Sequence, residues 1–233
     1  MKILVTLTFY HPHWTGLTAY AKRIAEGLVA RGHEVTVLTS QHSPDLPLEE
    51  WVGGVRVVRL PFVARVSRTV LMPAFPSTAA RLIAEHDIVH IHTPMPELML
   101  VTALARALGK PSIVTHQGDV VMPAGVMNQV IQRAMDTTMT MGMQLATRVV
   151  VHSADYGRHS AFLAPITRKL DAIYPPVEMP EPQPEMIAAW KRELGLEGKR
   201  LIGFAGRFVE EKGFDFLLRA VPLVVEQVPD AHF

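Results

Sequence analysis

Four short segments hold the residue types that chemistry needs, and each begins at or just after an apolar run rich in β-branched residues. In FYHPHWTGLTAYAKRIAEGL, residues 9–28, Gly16 stands beside a helix start, where unpaired N–H groups and the helix dipole favour an anion such as phosphate. A glycine there serves a tight turn equally well. HIHTP, residues 90–94, sets His90 and His92 on one face of a strand end. That spacing suits a metal, but no third ligand lies near in sequence, so lining a cleft is the better expectation. THQGD, residues 115–119, offers His116, a flexible glycine and Asp119 directly after a strand. His116 suits general acid–base work if a partner tunes its pKa. In GFAGRFVEEKGFDFLLRA, residues 203–220, Gly206 precedes Arg207 and Lys212 ahead of a helix. Two cations beside a glycine turn suit a diphosphate, whereas Lys212 paired on the surface with Glu210 and Glu211 is the plainer alternative.

These segments need a frame that brings strand ends together. KILVTLT at 2–8 predicts a buried strand, and 17–31 carries apolar residues at helical spacing up to Gly32. Strands are predicted at 34–39, 55–60, 87–92, 112–116, 148–152 and 170–174, with helices at 77–85, 97–108 and within 126–146. Such alternation predicts an α/β fold, a parallel sheet with helices on both faces and its loops along one ligand-binding edge. PPVEMPEPQPE, residues 175–185, holds five prolines in eleven positions and reads as a connector. Three parts follow: a first domain at 1–174, a proline-rich linker and helix at 175–199, and a strand and helix at 200–233. The last part is too small to bury its own apolar face, so the chain is expected to be a fragment carrying the opening of a second, truncated domain.

Composition narrows the function. With 48% apolar and 19% charged residues the chain supports a real core, which excludes a disordered or collagen-like protein. Lysine plus arginine number 23 against 22 carboxylates, so no field exists to hold a polyanion, and nucleic acid is excluded as an expected partner. The absence of cysteine removes disulfides and thiolate metal sites and fits a reducing, cytoplasmic setting. The longest stretch without Asp, Glu, Lys or Arg, residues 3–21, contains Pro12 and two histidines and is no membrane span.

Taken together, the residues resemble the retaining glycosyltransferases of glycosyltransferase family 4, whose GT-B architecture sets two Rossmann-like domains face to face. The most specific parts are GRFVEEKGFDFLLRA and IYPPV at 173–177, supported by RGHEVTVLT at 31–39, IVHIHTP and THQGD. The resemblance implies an enzyme that moves a sugar from a UDP- or GDP-linked donor to a sugar, lipid or small-molecule acceptor, with no essential metal and no other cofactor. It places Gly16 and Gly206 near the donor diphosphate and His116 toward the transferred sugar. Arg207 and Lys212 would neutralise the leaving group, while Thr15, His92 and Asp119 would line the acceptor side. The chain departs from the family in having Thr15-Gly16 where many members have two glycines. The family's glutamate pair, seven residues apart in the second domain, would lie beyond Phe233, so the 233 residues alone are expected to be inactive.

Two further features bear on partners. Residues 51–84 contain Arg56, Arg59, Arg65, Arg68 and Arg81 without one acid, interleaved with apolar residues. That pattern reads either as a basic surface for peripheral contact with the inner membrane face or as a solvated, acceptor-facing loop. Six methionines between Met122 and Met143 make a soft apolar helix, for which core packing is the commoner cause and a lipid or hydrophobic acceptor the other. The rival functions are a GT-B-like phosphorylase or epimerase, or a self-associating module that forms a homodimer through its second-domain elements.

Overall fold

A computed structural model describes every residue except Ser67, Arg68, Pro123, Ala124, Glu178 and Arg207, and every side chain outside these except those of Val66, Thr69 and Glu211. The chain separates into two compact units, residues 1–177 and 178–233.

The first unit opens with β1 (Lys2–Thr6), α1 (Gly16–Val29) and β2 (Glu34–Ser40). A hairpin of β3 (Glu49–Val52) and β4 (Val55–Leu60) follows, then a small one of β5 (Ala64–Val66) and β6 (Thr69–Leu71). The alternation then runs α2 (Phe75–Glu85), β7 (Ile88–Thr93), α3 (Leu98–Ala107), β8 (Ser112–His116), α4 (Val126–Leu145) and β9 (Arg148–Val151). It closes with α5 (Ala154–His159), a 3-10 turn (Ala164–Lys169) and β10 (Leu170–Ala172). Strand order is β10-β9-β8-β7-β1-β2-β4-β3, parallel throughout except for β3 against β4. The chain reverses its direction of travel across the sheet between β1 and β7, the place where open α/β sheets form a ligand crevice.

Alternation along the strands sorts side chains onto two cores. Ile3, Val5, Val35, Val37, Val55 and Val57 pack with Ala21 and Ala25 of α1 on one face. Leu4, Leu38, Val89, Ile91, Val114 and Val149 pack with residues of α2, α3 and α4 on the other. Thr15 caps α1 with a reciprocal pair: the Thr18 N–H donates to Thr15 Oγ1 at 3.2 Å and the Thr15 N–H to Thr18 Oγ1 at 2.8 Å.

The antiparallel β3 was not expected, because four residues with two acids give almost no strand signal; the Gly53-Gly54 pair after it is the cue. Both glycines have positive φ, and the turn lies against α1. A Cβ at Gly54 would come within 2.8 Å of Val29 Cγ1, and one at Gly53 within 2.1 Å of Glu26 Oε1.

In the second unit α6 (Pro184–Glu193) precedes a parallel pair, β11 (Arg200–Leu201) and β12 (Ala231–His232), joined across α7 (Phe214–Gln227). The strand expected at 200–205 is limited to two residues. Phe208 stacks on Phe214 and Phe204 meets it at a tilt, each with ring centroids 4.1 Å away. No helix among the described residues is long and apolar enough to cross a membrane.

Candidate functional site

β8 delivers His116 to the ligand-binding edge of the first unit, buried, with both ring nitrogens engaged. Its Nε2 lies 3.0 Å from Asp119 Oδ1 and its Nδ1 lies 2.9 Å from Thr93 Oγ1 at the end of β7. Asp119 also accepts from Tyr156 Oη at 2.6 Å and from Ser160 Oγ at 2.9 Å. Burial opposes the charge of Asp119, but the hydrogen bonds from Tyr156, His116 and Ser160 outweigh it and hold the carboxyl below the usual carboxylate range. Burial pushes the His116 imidazole down, and the pull of Asp119 restores only part of the shift. A carboxylate partner on Nε2 means that Nε2 carries the proton, so Nδ1 accepts from the Thr93 hydroxyl. Burial favours this neutral form of the ring. Burial and the neighbouring Asp119 raise the Tyr156 phenol well above its ordinary value, so it stays a donor.

Beside this network lies a cavity of about 440 Å³. His116, Asp119 and Phe162 line one part of it, Val121 and Met122 another, and Gln132, Arg133 and Asp136 of α4 the rest. Gln132 shapes the wall by donating to Val120 O at 2.7 Å and to Asp136 Oδ1 at 2.8 Å, while its Oε1 accepts the Met122 N–H at 2.9 Å. Apolar walls with a few fixed polar groups suit a small organic ligand. Of the six methionines, Met139 and Met143 are buried and Met135 packs on the core, whereas Met127 and Met141 are exposed.

His92 is placed elsewhere. It shares with His90 and His152 the α1 face of the sheet, the opposite face from Val114 and His116, as alternation along β7 and β8 requires. The His90 and His92 rings are 4.3 Å apart, and Tyr20 of α1 covers His92 at 5.6 Å and His152 at 4.9 Å. Burial lowers the His90 pKa to about 4; burial, then His90 and His152, hold His92 well below its usual value. His90 Nε2 is 2.7 Å from Thr115 Oγ1, and Gln117 donates to His92 Nδ1 at 3.3 Å. Among the described residues no three His, Asp or Glu side chains gather in a way that could hold a metal ion.

Gly16 is the first residue of α1, exposed, with open space around the position a Cβ would take. Thr15 is committed to the cap. In the second unit Gly206 and Lys212 are neighbours, a Cβ at Gly206 falling 4.0 Å from Lys212 Cγ. Lys212 is exposed and ends a 3-10 turn at Gly213, whose positive φ starts α7. Arg207, expected beside them, lies outside the described residues. The acid-free arginine run is largely neutralised by flanking acids. Arg56 Nε is 2.7 Å from Glu49, Arg59 Nη2 is 2.6 Å from Glu50, and Arg81 Nη1 is 3.1 Å from Glu85. Pairing of β3 with β4 folds Glu49 and Glu50 back onto the arginines, which a linear charge count misses. Arg68 lies outside the described residues. Tyr156 and Ser160 went unread; the only cue is that these hydroxyls follow a strand end on the same sheet edge.

A Rossmann-like parallel sheet with a cavity at the carboxyl ends of its strands defines a doubly wound α/β protein with its ligand crevice in the usual place. Residues 15–173 match the glycosyl transferase 4-like domain, and the chain belongs to that family, with a GT-B fold. It is 30% identical over 239 residues to a GDP-mannose-dependent alpha-(1-6)-phosphatidylinositol monomannoside mannosyltransferase of Mycolicibacterium smegmatis, covering 98% of this chain and 58% of that protein. With the phosphatidyl-myo-inositol mannosyltransferase of Mycobacterium tuberculosis it shares 29% identity over 224 residues, 93% of this chain and 55% of that one. Among solved structures, sucrose-phosphate synthase from Thermosynechococcus elongatus superposes with a TM-score of 0.63 at 17% identity, covering 99% of this chain and 60% of that one. The chain thus spans a little under three fifths of the length of these two mannosyltransferases.

Proposed function

We propose that the whole protein transfers a sugar from a nucleotide-diphospho-sugar to an acceptor hydroxyl with retention of configuration. The observation that carries this is the family match over residues 15–173, joined to the meeting of Gly206 and Lys212 at the start of α7. In the reaction the bond between the sugar C1 and the diphosphate oxygen breaks, and a bond from C1 to the acceptor oxygen forms on the same face. The acceptor hydroxyl passes its proton to the departing diphosphate oxygen, and the nucleoside diphosphate leaves. Lys212 and Arg207, with the backbone N–H groups beside Gly206, meet the charge of that leaving diphosphate. The cavity beside His116 and Asp119 receives the sugar and the acceptor hydroxyl. With both nitrogens occupied, His116 acts there as a fixed wall that orients residues 116–119.

The likeness to a GDP-mannose-dependent mannosyltransferase makes GDP-mannose the first donor to test, with UDP-glucose as its comparison. The whole protein should release the nucleoside diphosphate only when an acceptor is present, keep this activity in EDTA, and give a product with the donor's anomeric configuration by NMR. Neutralising Arg207 and Lys212 together should lower kcat at least about 100-fold while acceptor KM changes little. Equal transfer by the doubly neutral protein would overturn the reading. The 233 residues alone should give no transfer.

A further inference from the structure

The stretch that leads from β8 toward α4 has no ladder of its own. Residues 117–122 belong to no helix or strand and make no backbone–backbone hydrogen bond among the described residues. Their front end is held through the Asp119 carboxylate, which meets His116, Tyr156 and Ser160. Their back end is tied to α4 by Gln132. From the second turn of that helix, Gln132 Nε2 donates to Val120 O at 2.7 Å and Oε1 accepts the Met122 N–H at 2.9 Å. A primary amide offers the donor and acceptor of a peptide group, so it stands in for a neighbouring chain at residues 120 and 122.

The second Nε2 hydrogen goes to Asp136 Oδ1 at 2.8 Å, one turn further along α4. Both donors and the acceptor are thus engaged. Turning the amide over would set its oxygen against Val120 O and Asp136 Oδ1, so the partners fix its orientation. Val121, between the two tied residues, is exposed and lines the same cavity as His116, Asp119, Arg133 and Asp136. The wall of that cavity therefore depends on a side chain that reaches it from ten and twelve residues further along the sequence.

We propose that Gln132 is a positioning residue of the transferase, clamping residues 119–122 to α4 so that the cavity keeps the shape that receives sugar and acceptor. Its part in transfer rests on the sugar-transfer reading; the clamp itself does not. Two substitutions separate the clamp from mere bulk. Gln132→Leu keeps the size and removes all three hydrogen bonds. Gln132→Glu keeps the shape, but its carboxylate has no proton to give to Val120 O and faces Asp136, the acid in direct contact with the amide. Two carboxylates so placed take up a proton above the ordinary glutamate value of about 4.3, a rise that Asp119 across the cavity supports and Arg133 opposes. The protonated side chain regains one donor while its other oxygen still accepts from Met122. Gln132→Glu therefore recovers as pH falls, and Gln132→Leu does not.

The test joins amide hydrogen exchange, followed by NMR, to kinetics. In the 233-residue chain, Gln132→Leu should speed exchange of the Met122 N–H about tenfold or more, while the paired Val114 and Val149 amides of the sheet stay as slow as before. In the whole protein the same variant should lower kcat about tenfold or more, because small displacements near reacting atoms are costly, with little change in the KM for the nucleotide-sugar. The activity of Gln132→Glu relative to the unsubstituted protein should climb about threefold or more from pH 8 to pH 5.5, that of Gln132→Leu staying level. Unchanged Met122 exchange in Gln132→Leu would overturn the clamp, and so would equal acceleration at Val114 and Val149, which marks general unfolding. Faster Met122 exchange with an unchanged kcat, or a relative activity of Gln132→Glu that stays level with pH, would overturn the positioning role. Failure of the unsubstituted whole protein to transfer sugar would sink the sugar-transfer reading alone, since exchange at Met122 is measured without it.

Discussion

Two sets of histidines sit at the same edge of one sheet and live in opposite electrostatic surroundings. On the α4 face His116 has a carboxylate and a hydroxyl as partners, with Tyr156 and Ser160 behind the carboxylate. On the α1 face His90, His92 and His152 crowd around Tyr20, and only burial and each other's positive forms shift their pKa values. The first arrangement uses charge to fix a ring beside a cavity. The second excludes charge altogether and treats imidazole as core. One residue type, shifted by one register position on the neighbouring strand, serves either purpose according to which face alternation selects.

The comparison can be broken most strongly with acid. His90 is neutral in the folded protein down to about pH 4, whereas its unfolded counterpart takes up a proton near 6.5. The unfolded chain therefore binds more protons between those values, and stability, full above pH 6.5, falls as pH drops toward 4. The loss attributable to His90 is at most about 3 kcal/mol, and His92 adds to it. Urea unfolding at pH 7.5, 5.5 and 4.5 should show this slope, and His90→Gln should flatten it. An acid slope unchanged in His90→Gln would mean that the α1 face does not exclude charge as described.

A middle-sized effect is expected from Asp119→Asn. It removes the charge that three donors converge on and should cost about 2 kcal/mol of stability. It should also lower the His116 pKa further and cut transfer by the whole protein about 100-fold. Thermal unfolding, histidine NMR and nucleotide release read the three consequences.

The smallest and sharpest test is Tyr156→Phe. Losing one donor costs about 1 kcal/mol and leaves the Asp119 carboxylate less compensated, so the Asp119 pKa should rise and its pull on His116 should strengthen. The His116 titration should then move up in pH, opposite in direction to Asp119→Asn. Movement in the same direction for both would show that Tyr156 does not act through the carboxylate.

How much of this was readable in the chain follows from distance along it. His116, at the end of strand Ser112–His116, and Asp119 are three residues apart, so local pattern marks the element and both residues but not the bond between them. Tyr156 and Ser160 reach the same carboxylate from 37 and 41 residues away, through a fold that no window of sequence displays. Strand-end position is legible for His92 as for His116, whereas the face His92 takes depends on register with β8. The arginine run looked basic because the acids that neutralise Arg56 and Arg59 sit just before it, and only the turn at Gly53-Gly54 folds them back.

That turn ties α1 to a distant set of contacts. Gly54 lies where a Cβ would strike the branched Val29, and its left-handed backbone already disfavours other residues. Gly54→Ala would therefore lift the hairpin from the helix and draw Glu50 from Arg59. The guanidinium would then release the backbone oxygens of His11 and Pro47, so one methyl group at a remote bend would loosen the loops that follow β1 and β2.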